Sequence, residues 1–284
     1  EPAIAYAEDG FPVSATVEYH WQKSFKDYKE NLQGDEFKHW FHTFAPRGRA
    51  PYIGEMWSSP DHSDTLRKVA ETNGQAFYKG ELAERIDKFS KEYGGYIRKE
   101  DLEAFEPKWV QPISINYRGY DVWEIPPNGQ GMVALLTLNI LKGFEFNEKE
   151  NVETYHKQLE AIKLAFADGK EYITDIDKMK LKPEDFLSDE YAEERRKLIK
   201  EDAILPKAGK PKSGGTVYLA TADSEGNMVS YIQSNYRGFG SGLVVPQTGI
   251  ALQNRGAGFS LNPEDENCLE PGKRRDRKST RLNS

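Results

Sequence analysis

Cysteine is almost absent from this chain. Cys268 is the only one in 284 residues, so an intrachain disulfide is excluded and no oxidising compartment is implied. No local histidine supports it as a nucleophile, and it reads as a packed or surface thiol. Long apolar runs are missing as well. Met132 to Leu141 falls far short of the roughly 20 residues that span a bilayer, and it reads as a buried helix. There is no basic excess. The chain carries 39 Lys and Arg against 46 Asp and Glu, a net charge of -7, with no basic stripe, which argues against nucleic acid. Histidines number five. Among His20, His39, His42, His62 and His156 only His39 and His42 are close, as an i, i+3 pair. That spacing builds no metal site, and none is expected.

Helical patterns fill the first part. In residues 1 to 45, Trp21, Phe25, Tyr28 and Leu32 share one helical face. Residues 46 to 62 are rich in Pro and Gly and read as a loop. Asp64 is the expected cap of a helix that turns Leu66, Val69 and Ala70 inward. A further helix carries Leu82, Ile86 and Phe89 and stops at Gly94-Gly95. "ISINYRGYDVWEIPP" alternates as a hairpin about Arg118-Gly119. Gly129 to Leu141 reads as an apolar helix. Tyr155, Leu159, Ile162 and Phe166 mark the apolar face of another. Residues 196 to 215 are rich in Lys, Pro and Gly and read as a mobile, solvated linker.

The stretch after that linker carries the chemistry. In "SGGTVYLATADSEGNMVSYIQSNYRGFGSG", Thr216 to Ala222 is strand-prone. Asp223 to Asn227 has the composition and length of a hairpin turn, and Met228 to Ser234 is the return strand. Read alone, this is an ordinary hairpin behind a linker.

Several motifs in order change that reading. They are Thr216 after Gly214-Gly215; Asp223, Gly226, Asn227, Val229 and Ser230; "FGSG" at Phe239 to Gly242; and Pro246 to Asn254. Earlier in the chain stand Gln75 to Glu81, Gly94-Gly95 with Asp101-Leu102, Tyr117 to Tyr120 with Pro126, Pro127 and Gly131, and Ala165 to Gly169 with Tyr172 and Asp175. Together they resemble the gamma-glutamyltranspeptidase family of N-terminal-nucleophile hydrolases over nearly all of residues 1 to 275. The resemblance implies an α/β fold, a four-layer αββα sandwich, incomplete in this chain.

It also implies self-cleavage at Gly215-Thr216, which divides the chain into the C-terminal part of a large subunit (1–215) and the start of a small one (216–275). Residues 276–284 share no pattern with the rest and are expected to be a non-native tail. The chain lacks an initiating Met and is expected to be a fragment. Glycine before the scissile bond tolerates the backbone distortion that a hydroxyl attacking its own preceding carbonyl demands. The freed α-amine of Thr216 then serves as base to its own hydroxyl, which leaves Asp168, Tyr172, Asp175 and the histidines to structural roles.

Ser234 takes the place of the family's second hydroxyl facing the nucleophile. Tyr236, Asn254 and Arg255 are the expected acyl-side substrate residues. The acid that typical members use for a substrate ammonium is replaced by Gly258, while Arg255 adds a cation suited to a substrate carboxylate. The implied function is γ-glutamyl or related acyl transfer or hydrolysis through a threonine acyl-enzyme. The alternatives are a glutaryl- or cephalosporin-acylase-like amide hydrolase and a non-catalytic scaffold. Substrates would be small acyl amides, with water or an amine as acceptor and no cofactor. The family's oxyanion-hole glycines and its carboxylate-binding arginine are expected outside this chain, which alone is expected to be inactive.

Overall fold

A computed structural model describes residues 1–205 and 217–274. They fall into two compact units, Glu1–Lys108 with Arg237–Asn254, and Trp109–Tyr236 with Arg255–Ser284.

In the first unit, helices α1 (Pro2–Asp9), α2 (Ala15–Asn31) and α3 (Lys38–Phe44) precede α4 (Pro60–Glu71), α5 (Gln75–Tyr78), α6 (Glu81–Glu92) and α7 (Lys99–Glu103). Strands β1 (Phe11–Pro12) and β2 (Met56–Trp57) pair antiparallel. Ser14 caps α2 by accepting from the Val17 N–H, as a short hydroxyl at this position favours. The expected face of α2 turns inward. Trp21 is buried and donates its indole N–H to the Phe44 carbonyl at 3.0 Å. Its ring meets Phe44, Trp57 and Phe239 with centroids 5.1 to 6.1 Å apart, tilted or edge-on, the arrangement the ring quadrupoles prefer.

The reading of α4 needs correction. The helix starts at Pro60 behind Ser59, so Asp64 lies inside it and does not cap it. Ser63 and Thr65 are its buried residues, while Ala70 is exposed. A proline, pre-set in φ and lacking an N–H, opens a helix without loss. In α6 the expected Leu82, Ile86 and Phe89 are buried.

The second unit contains hairpin β3 (Ile113–Tyr117) and β4 (Tyr120–Glu124), helices α8 (Gly131–Leu141), α9 (Val152–Tyr172), α10 (Pro183–Phe186) and α11 (Asp189–Arg196), and hairpin β5 (Val217–Ala222) and β6 (Met228–Gln233). Helix α8 is apolar nearly all round and buried on most sides. Met132, Val133, Leu136 and Ile140 pack with Ala161, Leu164 and Ala165 of α9. A Cβ on Gly169 would stand 2.5 Å from the Val133 methyl, so glycine permits this close helix approach.

The expected apolar face of α9 is also corrected. Tyr155 and Leu159 are exposed. The buried positions are Thr154, Glu160, Ala161, Leu164, Ala165, Asp168 and Gly169. Ala161, Ala165 and Gly169 turn inward with Leu164 where α8 crosses closely, Phe166 of the expected face packs partly buried against the same core, and Tyr155 and Leu159 stay outside.

Asp168 pairs with Arg195 of α11 at 2.8 Å. Burial raises the Asp168 carboxyl above its ordinary value, although Arg195 opposes the shift. Asp175 accepts from the N–H groups of Asp177 and Arg274. These are structural bonds. The linker expected from 196 onward is held in its first part, with Ile199 and Ile204 packed on the α8–α9 core. Among the described residues every sheet is two-stranded, so the chain is mixed α and β and carries part of the sandwich. No described helix is long and apolar enough to cross a membrane.

Candidate active site

The β5–β6 hairpin has unbroken antiparallel register from Val217 opposite Gln233 to Ala222 opposite Met228. Its turn explains the Asp-x-x-Gly-Asn signature. One Asp223 carboxylate oxygen accepts from the Glu225 and Asn227 N–H groups, each at 2.9 Å, and the other accepts from the Asn227 side-chain amide. The bonds from Asn227 hold the carboxyl below its usual range. Gly226 has φ +84°, a conformation costly for a residue with a Cβ. These residues are turn chemistry.

Ser234 follows β6 directly. Its hydroxyl oxygen accepts the Tyr236 N–H at 2.9 Å, closing a small turn. Tyr236 has φ +76°. That region is rarely occupied by a bulky side chain and costs roughly 1–3 kcal/mol. Arg255 donates through Nη2 to the Ser234 carbonyl at 3.2 Å and lies 5.8 Å from the Tyr236 ring centroid, a cation–π distance. Three of the expected site residues, Ser234, Tyr236 and Arg255, are thus brought together. Each is partly buried. The hydroxyl is oriented by an N–H, the carbonyl by a guanidinium, and the tyrosine by both its backbone and its ring.

Asn254 belongs to the first unit and accepts there from the Arg237 N–H at 3.1 Å. Gly215 and Thr216 lie outside the described residues. Gly258 ends a short 3-10 turn that begins at Arg255. Its carbonyl accepts from the Asn267 side chain at 3.0 Å.

The "FGSG" segment serves the backbone. Gly240 has φ +80°, and a Cβ there would collide with the Leu252 carbonyl. That close approach lets Ser241 N–H donate to Leu252 O at 2.8 Å and Leu252 N–H to Leu243 O at 2.9 Å. Val244 and Val245 are buried beneath it. Among the described residues, no group of three or more His, Cys, Asp or Glu side chains is arranged to hold a metal.

Sequence reading missed the turn made by Ser234 and Tyr236. The serine two residues before a turn aromatic was its available signal, since Ser hydroxyls bond backbone N–H groups two positions on. It also missed Glu160, an acid among buried small residues of α9.

Comparison with known proteins places the chain in a family. The family model described as gamma-glutamyltranspeptidase matches residues 1–279. The chain is 40% identical over 276 residues to the glutathione hydrolase-like YwrD proenzyme of Bacillus subtilis, covering 96% of this chain and 51% of that protein. It is 34% identical over 271 residues to the oxamate amidohydrolase proenzyme of Klebsiella pneumoniae, covering 95% and 50%. Among solved structures, a cephalosporin acylase from Bacillus halodurans superposes with a TM-score of 0.93 at 58% identity, covering 98% of this chain and 51% of that one. The chain spans about half the length of the curated relatives it matches. With the motifs in order and a matching fold, the chain belongs to the gamma-glutamyltranspeptidase family.

Proposed function

We propose that this chain is the central part of a self-cleaving amide hydrolase or acyltransferase whose nucleophile is Thr216. One observation carries the reading most strongly. The β5–β6 register runs without a slip to Val217 opposite Gln233. On this reading Ser234, the residue directly after Gln233, would be the hydroxyl that faces the nucleophile. The relatives' description as proenzymes also supports cleavage.

In the proposed maturation, the Thr216 hydroxyl attacks the Gly215 carbonyl carbon. The Gly215–Thr216 C–N bond breaks as an ester forms, and water hydrolyses the ester. This leaves a Gly215 carboxylate and a free Thr216 α-amine. In turnover the amine takes the hydroxyl proton as Thr216 Oγ bonds to the substrate's acyl carbon, then returns a proton to the departing amine. Water or an acceptor amine releases the acyl group. Ser234 would orient the nucleophile. The two subunits would come from one precursor cut at this bond, divided as 1–215 and 216 onward.

For the substrate, we propose an acyl group ending in a carboxylate, bound by Arg255 beside Tyr236, with Asn254 as a further binding residue. A guanidinium fork can serve a backbone carbonyl and a carboxylate together. Gly258 offers no carboxylate for a substrate ammonium, which favours glutaryl-type over γ-glutamyl donors. The likeness to the cephalosporin acylase supports this second, narrower reading. The activity is proposed for a chain of the relatives' length, and the 284-residue chain alone is expected to be inactive.

Intact mass of the full-length gene product beside its Thr216→Ala variant tests the nucleophile. Two fragments from the first, one beginning at Thr216, and one uncut chain from the variant are expected. Uncut chains from both would leave a scaffold role instead. In the cleaved enzyme, Arg255→Leu is expected to raise KM for a glutaryl amide by about 10- to 100-fold, the worth of one charged hydrogen bond. An unchanged KM would remove Arg255 from the site.

A further inference from the structure

The loop before β2 gathers two arginines on one acid. Glu55 Oε1 accepts from Arg47 Nη1. Its Oε2 accepts from Arg49 Nη1 at 2.8 Å and from the Tyr52 N–H at 2.9 Å. The acid is also fixed through the backbone. Its carbonyl accepts the Val13 N–H at 3.0 Å, and the Gly54 N–H donates to the Val13 carbonyl at 2.7 Å. The bond from Arg49, then that from Tyr52, holds the Glu55 carboxyl down to about 2, so it stays ionised at neutral pH with its oxygens engaged.

Arg47, Arg49 and Glu55 line a cleft of about 120 Å³ together with Pro46, Trp57 and Ser58. Two guanidiniums against one carboxylate leave a single positive charge there, in a chain whose net charge is -7. Among the described residues no second acid lines the cleft.

Trp57 adds a donor. Its indole Nε1 is buried and has no hydrogen-bond partner among the described residues. The ring is not free to turn toward one. The Trp57 backbone pairs with Phe11. The ring meets Phe11 and Trp21 edge-on at 5.7 and 5.1 Å and stacks on Phe44 at 6.0 Å. A buried N–H left unmatched costs its full desolvation, so the cleft calls for an acceptor. A water would satisfy the indole and leave the surplus charge unmatched. A carboxylate does both, and its single negative charge equals the surplus, which a dianion would exceed. The Arg47 side chain is 65% exposed and has further N–H donors beside the one given to Glu55.

We propose that this cleft binds the carboxylate of a small organic acid, held between the Trp57 indole N–H and the Arg47 guanidinium. The proposal uses none of the residues assigned to self-cleavage or acyl transfer and stands apart from that reading.

The test is a titration of the full-length gene product, labelled with 15N-tryptophan, by sodium acetate at neutral pH. The Trp57 indole signal is the one lost in Trp57→Phe. It should move downfield and saturate with acetate. It should stay in place in sodium chloride of equal ionic strength, and sodium sulfate should bind more weakly than acetate. Arg47→Gln removes the charge at an exposed position and leaves Glu55 its bonds from Arg49 and Tyr52. It should unfold at the normal temperature and bind acetate about 10-fold more weakly, the worth of one charged hydrogen bond. If Trp57→Phe does not fold, the indole signal whose acetate shift is weakened in Arg47→Gln identifies Trp57 instead. Indole signals that acetate leaves in place would make water the occupant and overturn the proposal. So would a shift that chloride reproduces, tighter binding of sulfate than of acetate, or equal acetate binding by Arg47→Gln.

Discussion

The second unit contains two antiparallel hairpins of nearly equal length and very different burial. In β3–β4, Ile115 is 7% exposed, and Ile113 and Tyr117 pack on the α8–α9 core. In β5–β6, every side chain from Leu219 to Gln233 is exposed except Ile232, which is partly buried. Both have continuous register, and both turn through a glycine with positive φ, Gly119 and Gly226. Strand pairing and burial are therefore separate outcomes. Pairing follows from local turn chemistry and alternation. Burial needs a neighbour, and β4 has one because α8 begins seven residues after it. The first hairpin braces the unit, whereas the second carries the candidate chemistry at its open end.

The largest effect is expected in the packed body to which β3–β4 belongs. Arg195→Met would leave the buried Asp168 carboxylate without its cation and should destabilise by about 3 kcal/mol in urea unfolding. Its pH dependence has a definite sign. Burial raises the folded-state value of Asp168, so the fold favours its protonated form. That contribution is fully present below the ordinary carboxylate range and is lost as pH rises through the raised value. Arg195→Met should therefore be relatively more stable at mildly acid pH than at neutral pH, and the opposite trend would reject the assignment.

Next in size, Ile115→Ala removes a buried side chain from the bracing hairpin and should cost about 2–3 kcal/mol. Gly226→Ala forces a Cβ into the left-handed region and should cost about 1 kcal/mol, read as faster amide exchange in β5–β6. The smallest effect belongs to Val229→Ala. At 58% exposure it should change stability by less than about 0.5 kcal/mol. A cost matching that of Ile115→Ala would break the comparison, because the two hairpins would then be equally buried in solution. Acid sharpens it further. Hydrogen bonds led by Asn227 depress the Asp223 carboxyl. Their contribution is present above the ordinary carboxylate range and lost as pH falls through the depressed value. The protection of amides in the β5–β6 turn, measured against their intrinsic exchange rate at each pH, should fall there.

Much of this was legible in the chain itself. The two hairpins, α6 and its Leu82, Ile86 and Phe89 face, and the apolar α8 all follow from periodicity and turn residues. The inward face of α9 was not legible, because apolar periodicity favoured Tyr155 and Leu159. The close crossing at Gly169 and Val133 selected small residues instead. The start of α4 was misread because Asp64, an acid already inside the helix, resembled a cap, while Pro60 opened the helix. At the candidate site, motif order singled out Ser234, Tyr236 and Arg255. Their joint geometry was not readable, since it depends on a left-handed tyrosine and on a guanidinium twenty-one residues away in sequence.

By itself, then, the sequence determined the local elements, the turn chemistry of Asp223 to Asn227 and the family motifs in order, because these depend on neighbours a few residues apart. Tertiary structure alone decided which helix faces are buried, how Arg255 meets Ser234 and Tyr236, and that Glu160 reaches across to the Ile204 N–H. Those outcomes depend on distant segments excluding water from one another, and no short window of sequence contains both partners.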